Sequence, residues 1–203
     1  MAAPRLVVGL GNPGADYAGT RHNCGFWLVE RIADRLDAAF RREARFHGLV
    51  AQSRDHELWL LEPQTFMNRS GLAVRALSQF YRIEPDRILV LHDELDLPPG
   101  ALRLKFGGGL GGHNGLKDIA AHLGTQDFWR LRIGIGHPGE RDEVIGYVLR
   151  APRAEERSMI DAALDLAISG LPLLLRGEHA AAMQKFNTRP GVGSSGLQGA
   201  NDP

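Results

Sequence analysis

Strands alternating with amphipathic helices along 203 residues predict an α/β fold, a single-domain three-layer sandwich in which helices flank a twisted, mixed and mostly parallel sheet. Three observations carry that prediction. Residues 88–91, Ile-Leu-Val-Leu, form a bare apolar run of the kind found in strands covered on both faces. Leu102, Leu104 and Phe106 alternate with Arg103 and Lys105, and Leu131, Ile133 and Ile135 alternate with Arg130 and Arg132, as in half-buried strands. Between such runs lie stripes of helical period, with Leu28, Val29, Ile32, Ala33 and Leu36 on one face and Glu30, Arg31, Asp34 and Arg35 on the other.

In chain order, residues 5–10 read as a strand that opens into a Gly-Asn-Pro-Gly turn, and the first helix follows. Strand-like pieces at 49–52 and 57–61 precede a helix through Ala73, Val74, Leu77, Phe80 and Tyr81. The 88–91 strand ends in His92-Asp93-Glu94. A glycine loop at 107–112 and a short helix at 114–123 separate the two basic strands. Met159, Ile160, Ala163, Leu164, Ala167 and Ile168 mark a long helix that Pro172 is expected to end or kink, and 180–186 a last short one. Residues 188–203 are Gly/Ser/Pro-rich and aperiodic, which predicts a disordered tail after one domain at 1–187.

Lys+Arg and Asp+Glu both number 24, so bulk charge does not bind nucleic acid here, although a local basic patch is allowed. The single Cys24 excludes an intramolecular disulfide and fits a reducing compartment. The N-terminal residues carry no signal-peptide pattern, and the apolar run 171–175, broken by Pro172, is too short to cross a bilayer. A cytosolic protein without a membrane segment is expected.

Residues 9–14, Gly-Leu-Gly-Asn-Pro-Gly, match the dinucleotide fingerprint in letters. The match fails in context, because polar residues 15–23 separate it from the helix whose N-terminus should face a pyrophosphate. A tight strand-end turn that brings Asn12 to the carboxyl edge of the sheet is the simpler reading. His22 is either a loop histidine or a base, and Asp93 either a cap or the carboxylate that orients that base; together they would let an imidazole take a proton from water. Asn12, Asn68 and Asn114 suit amide recognition of a peptide-like substrate, while Asn68 and Asn114 serve equally well as helix N-caps. Arg103, Lys105, Arg130 and Arg132 form a phosphate patch if their strands adjoin, or else solvated, aggregation-blocking faces. His92, Asp93, Glu94, His113 and His137 include metal-ligand types but lack any metal-site spacing. No G-x-S-x-G elbow occurs, and Cys24, followed by Phe26 and Trp27, reads as a small buried filler.

The strings Val8-Gly9-Leu10-Gly11-Asn12-Pro13-Gly14, Thr20-Arg21-His22-Asn23, Phe66-Met67-Asn68-Arg69-Ser70-Gly71, His92-Asp93-Glu94-Leu95-Asp96-Leu97-Pro98-Pro99-Gly100, Gly111-Gly112-His113-Asn114-Gly115 and Arg130-Leu131-Arg132-Ile133-Gly134 occur in this order. Taken together they resemble bacterial-type peptidyl-tRNA hydrolases. The resemblance implies a monomeric enzyme that hydrolyses the ester between a peptide and the 3′ ribose of tRNA, with no metal or cofactor and no obligate protein partner. It implies His22 as general base and Asp93 as its support, Asn12 as discriminator of blocked from free aminoacyl ends, and Asn68 and Asn114 as amides holding substrate and water. Tyr17 and Phe66 match residues lining the substrate end, and Lys105 and Arg132 the pair that clamps the tRNA 5′ phosphate. Cys24, Leu110 and Pro172 depart from the family pattern. The residues alone leave two rivals: a non-catalytic RNA-binding protein, and a metal-dependent amidase built on His92 and His113.

Overall fold

The central strands form where apolar residues crowd too densely for a one-sided stripe, and the helices where they recur every three to four residues. In a computed structural model, which describes residues 2–187, the chain runs β1 (Leu6–Gly9), α1 (Cys24–Arg35), β2 (Arg41–Glu43), β3 (Gly48–Ser53), β4 (Leu58–Pro63), α2 (Ser70–Phe80) and β5 (Ile88–Glu94). It continues with β6 (Leu102–Phe106), α3 (Asn114–Leu123), β7 (Trp129–Gly134), α4 (Val144–Val148), α5 (Ala154–Leu175) and α6 (His179–Phe186). The tail expected at 188–203 lies outside the described residues.

One sheet has the order β2-β3-β4-β1-β5-β7-β6. Its four central strands, β4, β1, β5 and β7, are mutually parallel, while β2–β3, β3–β4 and β7–β6 pair antiparallel. The expected three-layer sandwich is therefore correct, with parallel pairing confined to the centre. Val7, Leu60, Leu89 and Leu131 face one layer containing α1, α5 and α6. Leu6, Val8, Leu61, Ile88 and Val90 face the other, containing α2 and α3. Being covered on both sides, β1 and β5 tolerate no polar residue until their carboxyl ends. The strand β2 carries Arg-Arg-Glu at the sheet edge, where no apolar alternation is needed, and so gives no periodic signal.

Two glycines of the 9–14 run, Gly9 and Gly11, serve packing. A Cβ on Gly9 would stand 2.4 Å from the Gly25 carbonyl, and one on Gly25 would stand 2.4–2.5 Å from backbone atoms of Leu10 and Leu91. Helix α1 therefore starts pressed against the ends of β1 and β5, ten residues beyond Gly14 rather than directly after it. That arrangement removes the dinucleotide reading.

Helix α5 does not stop at Pro172 but runs on to Leu175. Its stop is Gly177, at φ +71°, where Gly177 N–H donates to the Leu174 carbonyl and Glu178 N–H to the Leu173 carbonyl. This helix is long and apolar enough to cross a membrane, unlike the short run the sequence suggested. Here Ile160, Ala163, Leu164, Ala167, Leu171 and Leu174 pack into the core, and Asp161 and Asp165 pair with Arg31 of α1. Met159, expected on the apolar stripe, is exposed.

Because backbone atoms surround Gly25 and cannot yield, Gly25→Ala should destabilise the protein by about 3 kcal/mol, the upper part of the overpacking range. Urea unfolding of the two proteins measures it; a change below ~0.5 kcal/mol, the size of an ordinary surface substitution, contradicts the close approach.

Candidate active site

Asp93 stands one residue from the carboxyl end of β5 and is 3% exposed. It shares the α1-facing side of the strand with Leu89 and Leu91, so a buried carboxylate replaces an aliphatic side chain where β5 leaves the core. His22 reaches it from the helical turn Arg21–Asn23 that leads into α1, with Nδ1 2.9 Å from both carboxylate oxygens. His113, at the N-cap of α3, brings Nε2 to 2.9 Å from Oδ1. A carboxylate only accepts, so both ring nitrogens donate. In the neutral ring this leaves His22 Nε2 as a lone pair, and it has no hydrogen-bond partner among the described residues. His113 Nδ1 accepts from the Leu116 N–H at 3.4 Å.

Burial alone would raise the Asp93 pKa, but the charges and hydrogen bonds of His22 and His113 outweigh it and hold the carboxyl far below its usual range. For His22, burial works against the cation, while the Asp93 charge and hydrogen bond work for it; the result lies above 6.5. The pair therefore makes an oriented imidazole of increased basicity. Arg21 anchors the turn: one guanidinium nitrogen donates to the carbonyls of Tyr147, Arg150 and Ala151, the other to Glu156 at 2.6 Å, and the group stacks 4.0 Å over the Tyr147 ring.

Asn12 is buried in the turn after β1. Its backbone N–H donates to Asn23 Oδ1, and its carbonyl accepts from Asn23 Nδ2, each at 2.9 Å. Its own Oδ1 accepts from Met67 N–H at 2.8 Å. This ties the first turn to the one containing Phe66 and Asn68, and Asn12 Nδ2 makes no hydrogen bond among the described residues. Tyr17 and Phe66 meet edge to face at 6.2 Å between ring centroids, with Phe66 57% exposed. Neither of the other two asparagines is an N-cap. Asn68 lies in the turn Met67–Arg69, and Asn114 is the first residue of α3, whose cap is His113. Both are exposed and make no hydrogen bond through their amides among the described residues.

The basic strands do adjoin: Arg103 faces Arg132 and Lys105 faces Arg130 across β6 and β7. The four cations are not equivalent. Arg130 is 2% exposed and gives its guanidinium to the carbonyls of Gly107, Gly108 and Gly109, so it braces the glycine loop instead of joining an open patch. Lys105 is exposed, with its ammonium over Gly108. Arg132 Nε donates to Glu94 at 2.8 Å. Leu110, the departure in the loop, packs against the α2–α3 side of the core.

His22, Asp93 and His113 bring donor atoms within 4.8 Å of one another, close enough for a shared ion. The 2.9 Å separations are those of hydrogen bonds; ligand atoms on a tetrahedral zinc with bonds of about 2.0–2.1 Å would stand roughly 3.4 Å apart. The other expected ligand types do not gather here. His92 is buried against the His113 ring and held neutral, its pKa lowered to about 3 chiefly by burial; Glu94 serves Arg132; and His137 accepts from Gly139 N–H. Sequence reasoning weighed His113 only as a metal ligand and passed over Arg21 and Asn23 as site residues. No spacing rule links Asp93 to a histidine twenty positions on, and capping and bracing roles have no signature apart from the fold.

The model for the family described as peptidyl-tRNA hydrolase matches residues 6–193. A peptidyl-tRNA hydrolase of Aromatoleum aromaticum is 66% identical over 189 residues, covering 93% of this chain and 96% of that protein. One from Azoarcus sp. is 64% identical over 189 residues, covering 93% and 87%. The crystal structure of the peptidyl-tRNA hydrolase of Acinetobacter baumannii superimposes with a TM-score of 0.90 at 48% identity, covering 93% of this chain and 96% of that one.

Cys24 is fully buried, and burial followed by the Asp93 charge raises its thiol well above the ordinary value. The native protein should therefore resist iodoacetamide under conditions that alkylate the unfolded chain completely. Rapid native labelling followed by mass spectrometry would contradict this placement.

Proposed function

The chain belongs to the peptidyl-tRNA hydrolase family, and we propose that it cleaves the ester between an N-blocked peptide and the 3′ ribose of tRNA with water activated by His22. The observation that carries this reading is the hold of Asp93 on His22 Nδ1, which leaves Nε2, without a partner among the described residues, to take a proton. The Asn12 turn is bonded to the turn that holds Asn68, and Asn114 directly follows the His113 that shares Asp93. Water gives a proton to Nε2 as its oxygen attacks the ester carbonyl. Asn68 or Asn114 donates to the oxyanion of the tetrahedral intermediate, a contribution of about 3 kcal/mol in comparable sites. On collapse, the bond from carbonyl carbon to ribose oxygen breaks, and the imidazolium returns its proton to that oxygen. The products are tRNA with a free 3′ hydroxyl and a peptide carboxylic acid.

Asp93 stays ionised and stabilises the imidazolium, so no metal is required by the chemistry. Tyr17 and Phe66 cover the peptide end, and Lys105 with Arg132 takes the 5′ phosphate of the acceptor stem. Such contacts position tRNA without reading its sequence. The enzyme in this reading is a monomer of the cytoplasm, where released tRNA rejoins translation; the buried free thiol of Cys24 fits such a reducing compartment. The metal-amidase rival needs His92 and His113 as a ligand pair, whereas the ligand-type atoms that lie together among the described residues are those of His22, Asp93 and His113, without His92.

His22→Ala should lower kcat/KM for purified peptidyl-tRNA by ~10²–10⁴ while tRNA binding persists, and chelators should change neither. Because the base form of His22 is needed and its pKa is raised, kcat/KM should climb with pH through a midpoint above 6.5 and then level off. Asp93→Asn removes the interactions that raise it, so the midpoint should move down as the rate falls. An upward move, or inactivation by chelator, rejects the mechanism. Lys105→Ala should raise KM and reduce the slope of log affinity against log salt by about one. An unchanged slope would remove Lys105 from the phosphate site.

A further inference from the structure

Beside Asn12, on the side of the sheet covered by α1, lies a cavity of about 290 Å³ that the chemistry above does not use. Its floor is Glu62, at the carboxyl end of β4, on the α1-facing side of that strand with Leu58 and Leu60. Glu62 is 4% exposed, and its Oε1 is buried without a hydrogen-bond partner. Across the cavity, Glu30 projects from the exposed face of α1, while Pro13, Phe26 and Trp27 supply apolar wall. Burial first and the Glu30 charge second push the Glu62 carboxyl up to about 8. Burial and Asp34 raise Glu30 as well.

A buried acid unpaired on one oxygen and facing a second acid is an expensive arrangement that a cation relieves. The walls suit the apolar stem of a long basic side chain, with the two acids at its charged head. Asn12 belongs to both this cavity and the proposed catalytic cleft, which puts the cavity within reach of a peptide held there. We propose that it is a specificity subsite for a lysine or arginine side chain of the peptide, paired with Glu62 and Glu30. The inference rests on the proposed ester hydrolysis and adds the class of peptide preferred.

The test compares N-acetyl-dipeptidyl-tRNAs carrying lysine or norleucine, at the residue next to the ester or one further away. The wild type should favour lysine at one of these positions by about tenfold in kcat/KM, the size of one modest charge-assisted hydrogen bond. Glu62→Gln, nearly isosteric, should reduce that ratio to within about twofold. Glu30→Gln, on an exposed helix face and so safe for folding, should reduce it in the same direction. Equal rates for lysine and norleucine in the wild type, or a preference that survives both substitutions, overturn the subsite while leaving ester hydrolysis standing. Failure to cleave any of the substrates overturns the hydrolase reading itself, and the subsite with it.

Discussion

The site depends on one buried negative charge. A carboxylate taken out of water costs several kcal/mol unless it is paired and hydrogen-bonded. Asp93 meets that condition with two imidazoles that reach it from different parts of the chain. The same charge sets the tautomer of His22, raises its basicity and keeps the neighbouring Cys24 protonated. Remove it, and the bent entry into α1 and the N-cap of α3 lose the group that draws them together.

The fold supplies rigidity where that charge needs it. Asp93 extends a strand buried on both faces and flanked by β1 and β7, so its carboxylate cannot drift. Gly9 and Gly25 let α1 begin against the strand ends, which carries His22 over the edge of the sheet. Arg21 then fastens the His22 turn to residues 147–151, and Asn23 fastens the Asn12 turn. The proposed substrate partners Asn68, Asn114, Phe66 and Lys105 are left exposed. A substrate-facing rim on a braced acid-base pair is the division of labour that preorganised catalysis requires.

Much of this was legible in the residues. The bare run of β5 and the alternation in β6 and β7 reported their environments directly, because burial on two faces or one leaves different periods. The edge strand β2 was silent for the same reason: with neither face fully buried, Arg41, Arg42 and Glu43 obey no pattern. Pro172 misled, since the lost N–H is a local penalty and the packing of Leu171 and Leu174 outweighs it. Arg130 misled in another way. Alternation showed its face correctly, but only the path of the glycine loop turns that face inward. In the site, His22 and Asp93 were suggested by local context and by the family resemblance. His113 joined them only through the position of α3, which no spacing along the chain encodes.

The most direct test of the buried charge is the titration of His22 followed by ¹⁵N NMR in uniformly labelled protein. Ionised Asp93 on Nδ1 requires that neutral His22 carry its proton on Nδ1 and titrate above 6.5. A neutral ring protonated on Nε2, or a midpoint below that value, would contradict the account.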